Sequence, residues 1–195
     1  MGKVVTHMTM SLDGFIADPQ DGIVELFGWY DAGPVLLPTA DEQMSFHVDE
    51  QSAGVLRELL STAGALVSGR RLFDLTRGWG DNHPLGVPVV VVTHHVPDDA
   101  AVWKRTSFAD DVASGVARAQ EIAGDKTVIV SSANISRQAL ELGLVDEVHV
   151  SLVPVLMGSG IPYFADLATP PYHFEDPVVV EGTRATHLRF AVRRE

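Results

Sequence analysis

Cysteine is absent from the 195-residue chain, which excludes disulfides, thiolate metal ligands and a cysteine nucleophile. Cations are scarce: 11 Arg and 3 Lys stand against 26 Asp and Glu, a formal charge of -12. They form only short pairs such as Arg70-Arg71 and Arg193-Arg194. A polyanion is repelled by that balance, so no nucleic-acid partner is expected. Long apolar runs are also missing. The longest aliphatic stretch, residues 87–92 with Pro88 inside it, is far short of the roughly 20 residues of a membrane helix, and no membrane partner is expected. The first residues lack the apolar core of a signal peptide. Met1-Gly2-x-x-x-Thr6 matches a myristoylation pattern, but Gly2 directly precedes a candidate core strand, and a cytoplasmic protein is the expectation.

What is present is a chain with 46% hydrophobic residues, too apolar for disorder and long enough for one domain spanning residues 1–195. Residues 3–11, rich in Val, Thr and Met and ended by Asp13-Gly14, read as a strand. Residues 16–39 read as a long loop, a kind of segment that often carries function. Apolar residues at Val55, Leu56, Leu59 and Leu60 mark one face of a helix over residues 48–63. A strand at 65–68, a short helix at 70–76 and an almost wholly aliphatic strand at 87–93 follow. The second half gives a weak strand at 103–108, a helix at 110–122 and a strand at 127–131. A helix at 135–142 comes next, capped by Ser132 and closed by Gly143. A strand at 146–154 and a hairpin of strands 172–180 and 184–192 complete the chain. This order predicts a three-layer α/β fold with a mostly parallel sheet and an antiparallel hairpin at one edge.

Ligands in open α/β sheets bind at the carboxyl ends of strands, where helix N-termini offer free N–H groups. Three such ends carry suitable residues: Ser68-Gly69-Arg70-Arg71, Thr93-His94-His95 and Ser131-Ser132-Ala133-Asn134-Ile135. A glycine turn with two guanidiniums, a hydroxyl/imidazole pair and a helix N-terminus suit a phosphorylated ligand if the strand order brings them together. The eight histidines show no metal-ligand spacing. His149 and His187 read as ordinary cross-strand residues, so no metal site is expected.

The chain resembles the dihydrofolate reductase-like superfamily, in particular the branch of the riboflavin-biosynthesis reductase C-terminal domain. The resemblance rests on Ser11-Leu12-Asp13-Gly14-Phe15-Ile16-Ala17 and on Leu66-Val67-Ser68-Gly69-Arg70-Arg71-x-Phe73-Asp74. It rests further on Gly143-Leu144-Val145-Asp146-Glu147 through Val153-Pro154-Val155-Leu156-Met157-Gly158-Ser159-Gly160. It implies a reductase that delivers hydride from NADPH to a small, heterocyclic substrate. By position, Thr9, Ile16 and Ala17 would offer backbone groups to the nicotinamide amide, and Gly69, Arg70 and Arg71 would approach the pyrophosphate and 2′-phosphate. Thr93 and His94 would contact the 2′-phosphate, and Ser131, Ser132, Ala133, Asn134 and Ile135 would hold the pyrophosphate. A homodimer is also implied, with the 146–154 strand and the terminal hairpin as interface elements.

Relatives carry Gly-Gly where this chain has Ser131-Ser132, and the glycines accommodate a cis peptide there. Two readings stay open. The serine hydroxyls replace lost backbone contacts and binding is kept, or the loop has degenerated and the protein is a non-catalytic ligand-binding or dimerising one. On the substrate side, Asp13 is the candidate catalytic and substrate-binding residue, although an Asp-Gly turn is as often structural. Phe27, Trp29 and Tyr30 are candidates to stack on a planar heterocycle. Glu42, Asp49 and Glu50 lie near the helix where a proton-donating carboxylate would sit, but they fit its wet face, so dihydrofolate reductase activity itself is not expected.

Overall fold

A computed structural model describes residues 2–193. Met1 of the acylation pattern and Arg194 of the terminal basic pair lie outside the described residues. Strand β1 (Val4–Ser11) is followed by three short strands, β2 (Phe15–Ala17), β3 (Val35–Pro38) and β4 (Ser45–Val48). Then come α1 (Glu50–Thr62), β5 (Ala63–Gly69), α2 (Arg70–Leu75), β6 (Val89–Val92), β7 (Thr106–Ala109) and α3 (Val112–Ala123). The last elements are β8 (Thr127–Ser131), α4 (Ala133–Glu141), β9 (Glu147–Val153), β10 (Ile161–Pro162), β11 (Val178–Glu181) and β12 (Thr186–Ala191).

The main sheet has eight strands in the order β11-β12-β9-β1-β8-β5-β6-β7. Pairing is parallel from β9 to β7 and antiparallel through β12 and β11. The β6 run Val89–Val92 is buried along its whole length, as a strand covered on both faces must be. Its side chains alternate between layers: Val90 and Val92 join α3 and α4, while Val89 and Val91 join Phe73 of α2. Helix α1 packs with Leu26, Trp29 and Phe46 in a further cluster on the second face. Gly2 marks a close approach: a Cβ there would lie 1.8 Å from the Lys126 carbonyl oxygen.

The three-layer expectation holds, with corrections. The 16–39 loop contains β2 and β3. β3 pairs with β4, and Val48 ends that strand instead of starting a helix. Helix α1 begins after Asp49, whose carboxylate accepts the Gln51 and Ser52 N–H groups at 3.0 Å each. The 172–180 strand shortens to β11, with a single bridge at Phe174. Trp103 lies outside β7 and packs edge-on against Phe73, ring centres 5.0 Å apart. Strand β9 is no interface edge, because β1 and β12 flank it on both sides. The exposed edge on that side is β11, with Val178 61% and Val179 49% accessible.

Candidate functional site

A cleft of about 710 Å³ opens over the carboxyl ends of β5, β6 and β8. Eleven of the thirteen residues expected to hold a cofactor line it: Ile16, Ala17, Gly69, Arg70, Arg71, Thr93, His94, Ser132, Ala133, Asn134 and Ile135. The other two do not. Thr9 is buried and its hydroxyl accepts the Trp29 indole N–H at 3.3 Å. Ser131 ends β8 beneath the cleft wall.

The nine-residue helix α4 starts at this wall with no side-chain cap. The N–H groups of a helix's first turn have no partner within the helix and carry the positive end of its dipole, so this end suits an anion. Ser132 does not cap it, contrary to the sequence-based expectation. Its hydroxyl instead accepts the Gly69 N–H at 3.2 Å, tying the β8 turn to the β5 turn. A Cβ on Gly69 would lie 3.1 Å from that hydroxyl, a tight approach that a larger residue would relieve only by moving the Ser132 side chain. The Ser131–Ser132 peptide is not cis; the adjustment is a Ser132 backbone at φ 90° and ψ 141°, a region that strongly favours glycine.

The charges are arranged differently from the cationic patch the sequence implied. Arg71 Nε and Nη2 bond the two oxygens of Asp21 at 2.8 and 2.6 Å. Arg70 Nε bonds Asp74 at 2.8 and 2.9 Å, and its Nη1 donates to the His95 carbonyl at 2.7 Å. Thr93 hydroxyl closes its own turn onto His95, and the Asn134 side chain accepts from Gln138 at 2.8 Å. Asp21, Asp110 and Asp111 line the cleft and were not singled out from the sequence; neither were the apolar Met8, Ile23, Leu72, Leu75 and Ile161. Asp111 caps α3 through the Ser114 N–H at 2.8 Å, and that bond holds its carboxyl below the usual range. Only the 16–39 loop, flagged by its length, pointed toward Asp21.

The substrate-side expectations need correction. Asp13 does not line the cleft. Its carboxylate accepts the Ser11 hydroxyl at 2.6 Å and the Met157 and Gly158 N–H groups at 3.0 and 2.7 Å. The Ser11 bond first, then these amides, hold its pKa down to about 2. A group that keeps its negative charge at neutral pH and is spent on three donors is a clasp between two loops, not a proton donor. Trp29 is 2% accessible and sits in the core with Leu26 and Val48, edge-on to Tyr30 and His187, so it offers no stacking face. Phe27 and Tyr30 pack against the same cluster.

One polar feature escaped the sequence altogether. The sheet face beneath α1 carries a hydrogen-bonded file from His7 Nε2 to Ser151 (3.3 Å), His187 Nδ1 (3.0 Å), then Nε2 to Ser52 (3.0 Å) and Asp49 (2.8 Å). Enclosure between helix and sheet lowers the pKa of all three nearby imidazoles, His7 to about 3, and His149 and Arg189 add to the effect at His7. His187 is therefore part of a buried network, more than the ordinary cross-strand residue expected, whereas His149, half-buried beside it, bonds Glu147 at 2.8 Å. Alternation within single strands could not reveal it, because its members come from β1, β9, β12 and α1.

The sheet order, the hairpin edge and a ligand cleft at the carboxyl ends define a dihydrofolate reductase-like fold. Among solved structures, a candidate riboflavin biosynthesis protein from Shewanella sp. PV-4 superimposes with a TM-score of 0.69 at 20% identity, covering 98% of this chain and 99% of that one. Dihydrofolate reductase from Enterococcus faecalis, solved with NADP(H) and RAB-propyl, gives 0.60 at 15% identity, covering 98% and 97%. The family model of the RibD C-terminal domain matches residues 2–177, and the chain belongs to that family. No curated protein matches the sequence.

Proposed function

We propose that the protein is an NADPH-dependent reductase acting on a small, planar heterocyclic substrate. One observation carries the reading: the uncapped α4 N-terminus, the Gly69 turn and the Arg70-Arg71 pair converge on one cleft. Free amides at the α4 start suit a pyrophosphate, and the guanidiniums suit further phosphate oxygens. Met8, Ile16 and Ile161 supply an apolar wall that excludes water from a planar ring. NADPH, when bound, supplies the hydride. The chain's task is then to bind and orient, since no side chain of the cleft is singled out as proton donor, and water or a substrate group serves.

Titration with NADPH, followed by nucleotide fluorescence and by melting temperature, tests the proposal. Binding raises the melting point by mass action, and no shift at millimolar NADPH or NADH overturns it. The competing reading is a non-catalytic ligand-binding or dimerising protein with a degenerate dinucleotide loop, favoured by the fact that both guanidiniums already have carboxylate partners. NADPH that binds but is never consumed across a panel of planar heterocycles points to that reading. We further propose a cytoplasmic homodimer. No helix among the described residues is long and apolar enough to cross a membrane, and the exposed β11 edge offers a pairing surface that gel filtration tests.

A further inference from the structure

We infer that Asp21 is a resident anion: its carboxylate holds Arg71 in the manner of a nucleotide phosphate, and ligand and Asp21 compete for the same guanidinium edge. The inference rests on the cofactor reading above and assigns to Asp21 the setting of phosphate affinity.

The geometry is specific. Asp21 lies 50 residues from Arg71, on the 18–22 turn after β2, whereas Arg71 is the second residue of α2, and both line the cleft. Both carboxylate oxygens are engaged, one by Nε and one by Nη2. That side-on edge is the one a guanidinium presents to two oxygens of a phosphate. A phosphate arriving at Arg71 therefore meets an edge already filled.

The partners are unequally covered: the Asp21 side chain is 15% accessible and that of Arg71 70%. The carboxylate is the fixed member. Its turn is built without Arg71, since Asp18 accepts the Gln20 and Gly22 N–H groups at 2.7 Å each. The guanidinium is free to swing toward a ligand. When it does, Asp21 stays behind as a bare negative charge facing the phosphate. Asp110 and Asp111 line the same cleft, so the lining holds three carboxylates against two guanidiniums. Exposed ion pairs are weak and exchangeable, which lets a ligand with several phosphate oxygens displace one carboxylate.

The test compares wild type, Asp21→Asn, Arg71→Ala and the double variant in titrations with NADPH and NADH, after melting curves show that each folds. Asparagine keeps the shape and removes the charge. Asp21→Asn is expected to bind NADPH about two- to five-fold tighter than wild type, the size of one exposed ion pair. The gain disappears when Arg71 is Ala. A gain larger for NADPH than for NADH assigns Arg71 to the 2′-phosphate, and an equal gain assigns it to the pyrophosphate. Unchanged or weaker binding in Asp21→Asn, or an equal gain without Arg71, overturns the inference while leaving the reductase reading intact. If wild type binds neither nucleotide, the reductase reading falls and sodium pyrophosphate becomes the probe. Tighter pyrophosphate binding by Asp21→Asn than by wild type then upholds the resident anion. Equal affinity, or no binding to either protein, removes it.

Discussion

At the carboxyl ends of β5 and β6, Arg70 and Arg71 meet Asp74 and Asp21 in contact with solvent. Beneath α1, by contrast, Ser151, His187 and Ser52 are buried between helix and sheet, in a file that runs from half-buried His7 to Asp49. Solvent screens the first set, so each pair adds little to stability and exchanges readily for a ligand. Enclosure makes the second set costly to disturb, because a buried polar group that loses its partner keeps its desolvation penalty. The molecule keeps its replaceable charges where a ligand enters and its irreplaceable polar groups under a helix.

The enclosed side should give the largest effects. Trp29 caps the polar file, edge-on to His187 at 5.0 Å, and bonds Thr9. Trp29→Ala removes a fully buried ring and is expected to cost about 3–5 kcal/mol. Urea unfolding measures it. A loss below about 1 kcal/mol would mean that the ring is not core, and the stacking role would return.

The imidazoles come next. Their folded-state pKa values lie below the unfolded value near 6.5, so the unfolded chain binds more protons as the pH falls through that value. Stability is therefore full above about pH 6.5 and is lost as the pH drops toward about 3, the His7 value. His7 borders a 250 Å³ cavity beneath α1. Because one imidazole takes up one proton, the slope it contributes is at most about 1.4 kcal/mol per pH unit. Urea midpoints at pH 7, 6 and 5 should fall in that order, and His7→Phe should flatten the decline. An unchanged slope in the variant would place the titration elsewhere.

Much of the frame was legible because it follows local rules. The all-valine β6 and the Gly143 stop after α4 read directly from residue type and spacing. The cleft was legible because strand ends followed by Gly-Arg-Arg or Ser-Ser-Ala announce ligand turns. What stayed hidden depends on partners far away in sequence. Whether Trp29 points inward is decided by Thr9 and His187, and whether Arg71 is free is decided by Asp21, 50 residues away. Strands as short as β2 or β3 carry too few residues for alternation to show. Asp13 illustrates the limit: its Asp-Gly turn was visible, but its amide partners at Met157 and Gly158 were not.

Ser132 stands between the two regimes, half-buried at the cleft wall. Its hydroxyl bonds Gly69, and its backbone sits where glycine is favoured. Ser132→Ala keeps the strain and loses the bond, so a cost of about 1 kcal/mol is expected. Ser132→Gly loses the same bond but sheds the strain, and should cost less. Thermal unfolding ranks the three proteins. A glycine variant less stable than the alanine one would mean that the loop is relaxed as it stands.

The smallest effect on stability belongs to the cleft. Arg70 is paired within its own helix turn to Asp74, and its side chain is 36% accessible. Arg70→Ala should therefore change unfolding free energy by no more than about 0.5 kcal/mol. Ligand affinity should respond on a different scale, because an incoming phosphate loses one of only two guanidiniums in an otherwise acidic lining. If Arg70 faces the 2′-phosphate, NADPH affinity falls and NADH affinity stays, and the ratio of their dissociation constants is the quantity to measure. Equal losses move Arg70 to the pyrophosphate. A stability loss of several kcal/mol with unchanged affinity would invert the contrast, making the Arg70–Asp74 pair structural and leaving ligand charge to Arg71 and the α4 amides.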